Sequence, residues 1–234
     1  MQMAGVELDV CPTEIQEPSM EIQTQDTFGP YFAPEFDGTV VLPIKTRRSP
    51  RLTVVLDLDE TLVHAELMAK PGFDDVITLD NDGRPLDVYV GRRPYLMDFL
   101  AQASELFEIV VFTASHSSYA DQLLNRLDPD RRFLRYRLSR TACVMHSGIF
   151  VKDLRCLGRD LRHVVLVDNN PFSFMFQPFN GIPITSWYGD QNDKELVSLM
   201  QFLVQLSKVE DVRPILKDYY NLDLAQFRPY NSLN

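Results

Sequence analysis

Thr53-Val-Val-Leu-Asp57-Leu-Asp59-Glu-Thr61 is a short β-branched, apolar run that stops abruptly in acids. A run without alternation fits a strand buried on both faces, the mark of a parallel sheet. Glu108-Ile-Val-Val-Phe112 and Arg162-His-Val-Val-Leu-Val-Asp168 repeat the signature. Helical periodicities separate the three. Leu96, Phe99, Leu100 and Ala103 recur at helical spacing behind Pro94, which is placed as a first-turn proline. Leu123, Leu124 and Leu127 form a stripe over 118–127, with Ser117 as a candidate N-cap. Asp193-Lys-Glu-Leu opens another helix with Leu196, Leu199, Met200 and Leu203 inward. Buried strands alternating with helices predict an α/β fold, a Rossmann-like parallel sheet flanked by helices. Ile182-Pro-Ile-Thr reads as one more strand, and Trp187 after it as a core residue.

One stretch breaks the alternation. In Asp74-Asp-Val-Ile-Thr-Leu-Asp-Asn-Asp-Gly-Arg-Pro-Leu-Asp-Val-Tyr-Val90, Asp82-Gly83 marks a turn. Leu86, Val88 and Val90 alternate with Asp87 and Tyr89, as in a one-sided strand. A small β-hairpin insertion over about 66–91, following the first strand, is the expected form. It is too short to be a large cap domain.

Outside this pattern, composition sets limits. The chain has 234 residues and is 45% hydrophobic, ordinary for a globular protein with a sizeable core. Acids outnumber bases 33 to 23, a net charge of −10, which repels phosphate backbones and argues against direct nucleic-acid binding. Residues 1–27 hold six acids and no Lys or Arg, which leaves −4 for the rest. That segment reads as an acidic, disordered tail, unlike a signal or transit peptide. Residues 28–48 mix aromatics with Pro30, Pro34 and Pro43 and read as an extended arm on the domain surface, with 49–234 as the folded domain. Lys45, Arg47, Arg48 and Arg51 read as a solvated approach to the first strand, in preference to a nuclear signal. No apolar run approaches a membrane span of roughly 18 residues. Three cysteines without a CxxC exclude a disulfide framework or four-cysteine zinc site, so a reducing intracellular location, nucleus or cytoplasm, is expected. Cys156 reads as an ordinary half-buried thiol. His64, His116, His146 and His163 lack a spacing suited to metal.

The chemistry lies at the strand tips. Asp57-Leu-Asp59-Glu-Thr61, Thr113-Ala-Ser115 and Asp168-Asn169-Asn170 end the three buried runs. Ligands of open parallel sheets bind beyond the carboxyl ends of the strands, so these tips converge. A turn or cap role would account for any one of them; the set points to a site. Asp57 and Asp59, two residues apart, can face one centre, and their repulsion splits their roles into nucleophile and acid/base. A carboxylate attacks phosphorus only when a cation masks the phosphate charge, a task suited to Mg²⁺. Asp168 and Asn169 would complete that cradle. An EF-hand is excluded, since Thr61 holds its third ligand position.

Asp57-Leu-Asp-Glu-Thr-Leu-Val-His64 resembles the DxDxT signature of the haloacid-dehalogenase superfamily. More narrowly, it is similar to FCP/SCP-type phosphatases, the NLI-interacting-factor-like branch of small CTD phosphatases and Dullard. The likeness continues through Val111-Phe-Thr113-Ala-Ser115, Val151-Lys-Asp-Leu154, Leu157-Gly-Arg-Asp-Leu161, Val167-Asp-Asn169, Pro171, Gln177-Pro178 and Ser186-Trp187, covering roughly 50–215. It implies a Mg²⁺-dependent phosphoserine/threonine protein phosphatase, a phosphomonoester hydrolase working through an aspartyl-phosphate. Asp57 would be the nucleophile and Asp59 the general acid/base. Thr113, Lys152 and Thr61 would bind the phosphoryl group. Metal ligands would be Asp57, the Asp59 backbone carbonyl and Asn169, with Asp168 acting through water. Spacing alone leaves Thr113 open as a helix cap and Lys152 as a surface lysine.

The resemblance also implies an extended phosphopeptide of a protein substrate, because no cap closes the crevice; RNA polymerase II C-terminal-domain repeats are one choice. Val76, Ile77, Val88 and Tyr89 of the hairpin either touch that peptide or pack on the domain. Nuclear small CTD phosphatases commonly carry His-Arg-Gly-Asn where this chain has His146-Ser147-Gly148-Ile149, which weakens the case for polymerase repeats. Two rivals stand beside this reading. One is a non-catalytic Tim50-like binding module, which typically loses the second Asp, the Lys or the Asn. The other is a small-metabolite phosphatase, disfavoured by the missing cap.

Overall fold

The strand segments Thr53–Leu56, Glu108–Phe112 and Val164–Asp168 are buried throughout, because neighbours on both faces of one sheet cover them. The computed structural model describes residues 31–73 and 75–227. The tail expected over 1–27 lies outside them, as do the arm's first residues. In chain order the described residues form β1 (Thr53–Leu56), β2 (Val63–Glu66), β3 (Asp75–Asn81), β4 (Arg84–Arg92), α1 (Leu96–Leu106), β5 (Glu108–Phe112), α2 (Ser117–Leu127), β6 (Tyr136–Leu138), β7 (Val144–His146), β8 (Ile149–Val151), β9 (Val164–Asp168), β10 (Gly181–Pro183), α3 (Glu195–Leu206) and α4 (Val212–Tyr219). Five of the strands make a parallel sheet in the order β10-β9-β1-β5-β6. The fold is α/β, as expected.

Central β1 serves two cores. Val54 and Leu56 join Phe99, Leu100, Leu123, Leu196 and Leu203 from the helices on one face. Val55 joins Phe112, Leu166, Phe174 and Phe176 on the other. A strand so placed has no polar face to show, hence its unbroken apolar run. The arm region is tied to the second core: Leu42 is buried there, Tyr31 N donates to Phe176 O at 2.8 Å, and Val41 N to Cys156 O at 2.8 Å.

The insertion is larger than a hairpin. β2, β4 and β3 form a three-stranded antiparallel sheet over residues 63–92, because β2 pairs along β4. A lone hairpin is marginal in water, and the third strand closes the open edge of β4. The predicted turn is present, with Asp82 and Gly83 at φ 54° and 78° and Asp80 Oδ1 accepting from Gly83 N at 2.7 Å. Ile77 and Val88 pack into the domain core, whereas Val76 and Tyr89 are a half-buried cross-strand pair. Two of the four therefore pack on the domain, and the other two stay half-buried.

Helix starts differ in detail from expectation. α1 begins at Leu96, so Pro94 precedes the helix, and Tyr95 makes the turn at φ 65°. The N-cap of α2 is His116, whose Nδ1 accepts from Ser118 N at 3.3 Å; Ser117 is already helical. Lys194 is the N-cap residue of α3, and Asp193 just before it accepts through Oδ1 from Glu195 N at 3.0 Å. Nor is the basic cluster simply solvated. Lys45 Nζ donates to Pro50 O and Arg51 O and lies 3.3 Å from Glu108.

At the N-terminal edge of the sheet, Glu108 is buried against Arg159, which binds it twice at 2.8 Å, and against Thr53 Oγ1 at 2.7 Å. Burial raises the Glu108 pKa, and the bonds from Arg159 and Thr53 with the Lys45 charge outweigh it, so the net shift is downward. Glu108→Gln leaves the Arg159 guanidinium buried without a counter-charge, an expected loss of about 3–5 kcal/mol in urea unfolding. The sign follows from linkage. A depressed carboxylate stabilises above its unfolded pKa, near 4.5, and that part is lost as pH falls through the folded value. Urea midpoints should fall more gently with acid in Glu108→Gln than in wild type.

Candidate active site

Because β9, β1 and β5 are parallel neighbours, their C-terminal tips lie side by side. Asp57 extends the β1 ladder, its N–H donating to Val167 O at 2.9 Å. Buried Leu58 then turns inward, and its carbonyl accepts from Leu62 N and Val63 N, closing the loop that carries Asp59 and Thr61. Lys152 follows β8, fixed by its N–H to Ser173 O at 2.8 Å. Its ammonium donates to Asp57 Oδ1 and to Asp168 Oδ2, the latter at 2.6 Å. All three side chains are buried. Residues more than ninety positions apart thus form one charged centre.

Electrostatics follow from that burial. Loss of solvent pushes the Asp57 carboxyl up to about 7, with Lys152 pulling down and the Asp168 charge pushing up. Burial would lower the Lys152 ammonium, but facing Asp57 and Asp168 hold it above the ordinary lysine value. Lys152 is therefore a cation throughout the physiological range, and a second positive charge near Asp57 would favour its ionised form.

Asp59 sits nearer the opening. Ser115 Oγ donates to its Oδ2 at 2.6 Å, Tyr119 OH to its Oδ1 at 2.9 Å, and Thr113 Oγ1 to its Oδ2 at 3.4 Å. Burial and the Asp59 charge raise the Tyr119 hydroxyl, so it stays a donor. Thr113 Oγ1 also accepts from Ser115 N at 2.9 Å. Asn169 is held at both ends of its amide: Nδ2 donates to Ser186 Oγ at 3.0 Å, and Oδ1 accepts from Thr61 Oγ1 at 3.4 Å. Thr61 is fully buried and turned toward Asn169. Its one side-chain hydrogen bond among the described residues is to that amide oxygen.

Mg²⁺ takes hard oxygen donors and tolerates few carboxylates. Among the described residues no three His, Cys, Asp or Glu side chains converge as metal ligands. The set expected here is mixed: the Asp57 carboxylate, the Asp59 carbonyl and the Asn169 amide oxygen, with Asp168 behind. The donors fit. Lys152 takes only Oδ1 of Asp57, and the Ser186 bond turns the Asn169 oxygen away from the nitrogen's partner.

Several residues around the site make contacts that the sequence reading did not assign. Ser115 and Tyr119 hold Asp59, yet a strand-end serine and a helix tyrosine carry no signal of that role. Buried Gln177 joins the loops through Leu154 N and Asp153 Oδ1, each at 3.0 Å. Arg140, exposed, donates from Nε to Ala114 O at 2.6 Å and lies over the Phe150 ring at 4.8 Å. It places a guanidinium on the lip beside Thr113 and Ser115. Ser147 occupies the β7–β8 turn at φ 49°. Among the histidines, His163 lies 3.5 Å from Asp160, and its buried Nε2 finds no partner among the described residues.

An α/β sheet with two acids past its central strand and a lysine between carboxylates defines a haloacid-dehalogenase-type centre. Comparison with known proteins then specifies it. The family model for "NLI interacting factor-like phosphatase" matches residues 52–213, and the chain belongs to that family. It is 47% identical over 185 residues to "CTD small phosphatase-like protein 2" of Dictyostelium discoideum, covering 78% of this chain and 32% of that protein. It is 46% identical over 173 residues to human "Carboxy-terminal domain RNA polymerase II polypeptide A small phosphatase 1", covering 74% and 66%. The chain thus spans about a third to two thirds of the length of these curated relatives. The solved structure of Fcp1, "an essential RNA polymerase II CTD phosphatase", shares the fold at a TM-score of 0.51 and 23% identity, covering 78% of this chain and 55% of that one. No helix among the described residues is long and apolar enough to cross a membrane.

Proposed function

We propose that this chain is a Mg²⁺-dependent phosphoserine/threonine protein phosphatase. One observation carries the reading: the buried Asp57–Lys152–Asp168 centre, with Asp59 beside it under three hydroxyls. An Asp57 carboxylate oxygen attacks phosphorus, and the bond to the serine or threonine oxygen breaks. Asp59 gives its proton to that leaving oxygen. Water then attacks the aspartyl-phosphate while Asp59 takes back a proton, releasing phosphate and restoring both acids. Lys152 neutralises phosphoryl charge and Thr113 donates a hydrogen bond to it. Asp57, the Asp59 carbonyl and Asn169, with Asp168 through water, would hold Mg²⁺, which would supply the remaining positive field when bound.

The named activity of the relatives supports a protein substrate, with polymerase C-terminal-domain repeats as one candidate. The insertion covers only residues 63–92, so a phosphate on an extended peptide can reach the crevice. Val76 and Tyr89 offer that peptide an apolar contact, and Arg140 offers a cation where Ser147 offers none. A nuclear or cytoplasmic location fits such a substrate. Against a non-catalytic module stand Asp59, Lys152 and Asn169, all present. Purified protein should hydrolyse p-nitrophenyl phosphate only with Mg²⁺, and prefer phosphopeptides to sugar phosphates in a panel that includes polymerase repeats phosphorylated at each serine. No turnover by folded protein with Mg²⁺ at mildly acidic pH would refute the enzyme; faster turnover of sugar phosphates would refute the substrate class.

A further inference from the structure

Arg93 is a buried arginine that the reaction scheme leaves without a task. It follows β4, is 1% exposed, and donates its backbone N–H to Leu62 O at 3.0 Å. Its guanidinium grips Asp193 with both prongs, Nε to Oδ1 at 2.8 Å and Nη2 to Oδ2 at 2.7 Å. The same group donates to Thr61 O at 3.0 Å and to Thr185 O at 2.9 Å. Those carbonyls belong to the two segments that hold Asn169. Thr61 donates its hydroxyl to the Asn169 oxygen, and Ser186, next to Thr185, accepts from the Asn169 nitrogen. One fork therefore joins the loop after β1 to the loop after β10, with the amide clamped between them. Asp193 in turn accepts from Glu195 N, the first amide of α3, so the clamp is anchored to a helix.

We infer that Arg93 and Asp193 are a positioning pair that aims Asn169 and thereby sets the affinity of the site for its divalent cation. The inference rests on the proposed Mg²⁺ site. Desolvating a guanidinium and a carboxylate is costly, and a pair placed only for stability could be replaced by apolar packing. Here the fork spends its remaining donors on the two carbonyls flanking the Asn169 contacts. A lysine cannot reproduce that geometry. Partners behind metal ligands commonly change affinity by about 10- to 100-fold when removed.

The experiment is isothermal titration of metal-free protein with MgCl₂ alone, on wild type, Arg93→Lys, Asp193→Asn and Glu108→Gln, each checked for fold by circular dichroism. Arg93→Lys and Asp193→Asn should bind Mg²⁺ about 10- to 100-fold more weakly. Glu108→Gln, destabilised at the far edge of the sheet, should bind it like wild type. Should Asp193→Asn fail to fold, Arg93→Lys keeps the charge beside Asp193 and carries the same expectation. Wild-type affinity in either folded variant overturns the inference, as does equal weakening in Glu108→Gln. A wild type that binds no Mg²⁺ at millimolar concentration sinks the metal site itself, a separate outcome.

Discussion

Asp57→Asn is expected to abolish p-nitrophenyl phosphate turnover, with kcat lowered by at least about 10⁴-fold and the fold retained. Asparagine keeps the volume and one oxygen of the side chain, but an amide cannot form the acyl phosphate. Asp59 cannot substitute for it. Its oxygens accept from Ser115, Tyr119 and Thr113, and in the proposed scheme it serves the leaving group and water. Stopped assays with and without Mg²⁺, beside a circular dichroism melt, check the prediction. Activity within tenfold of wild type would mean that another group accepts the phosphoryl.

Lys152→Met should damage both stability and rate. The ammonium is the buried cation between Asp57 and Asp168, so its removal leaves two carboxylates facing each other in the interior. Breaking a buried pair by removing one partner costs about 3–5 kcal/mol. The pH dependence has a definite sign. Burial already lifts Asp57 to about 7, so between roughly 4 and 7 the folded state keeps a proton that the unfolded chain releases, and stability falls as pH rises through that window. Without Lys152 that fall should steepen. Added Mg²⁺ should stabilise the variant more than wild type, while kcat stays about 10²- to 10³-fold low. Thermal melts from pH 5 to 8, with and without Mg²⁺, decide; a fall no steeper than that of wild type would contradict the assignment.

Much of the fold was legible for a simple reason. Strands β1, β5 and β9 are covered on both faces, and burial of that kind writes itself into the chain as unbroken apolar runs. β6, Tyr136-Arg-Leu138, is three half-buried residues at the sheet edge, too short and mixed to show a period. β2 was missed because Val63-His-Ala-Glu66 continues the acidic motif and reads as loop until β4 is seen to need a partner.

The site divided the same way. Asp57, Asp59, Thr113, Asp168 and Asn169 stand at strand tips, where position alone suggests chemistry. Lys152 was found through family likeness, since nothing local in Val-Lys-Asp-Leu shows that its ammonium turns inward. The contact of Thr61 with Asn169 was not legible, because a hydroxyl in a site motif suggests a ligand contact and only the folded structure shows it buried against that amide. Ser115, Tyr119 and the Arg93–Asp193 fork act across loops and helices. Such contacts are set by tertiary packing, which no spacing rule encodes.

The central claim is that Asp57 accepts phosphorus in a cation-assisted pocket. Its most direct test is to locate the phosphoryl group during turnover. Asp59→Asn protein, slowed in hydrolysing its intermediate, is mixed with p-nitrophenyl phosphate and MgCl₂, quenched in acid, digested and mapped by mass spectrometry. One phosphoryl group on the peptide containing Asp57, absent when Mg²⁺ is withheld and absent from Asp57→Asn, is the predicted result. A phosphoryl group on another residue, or none while p-nitrophenol is still released in a burst, would contradict it.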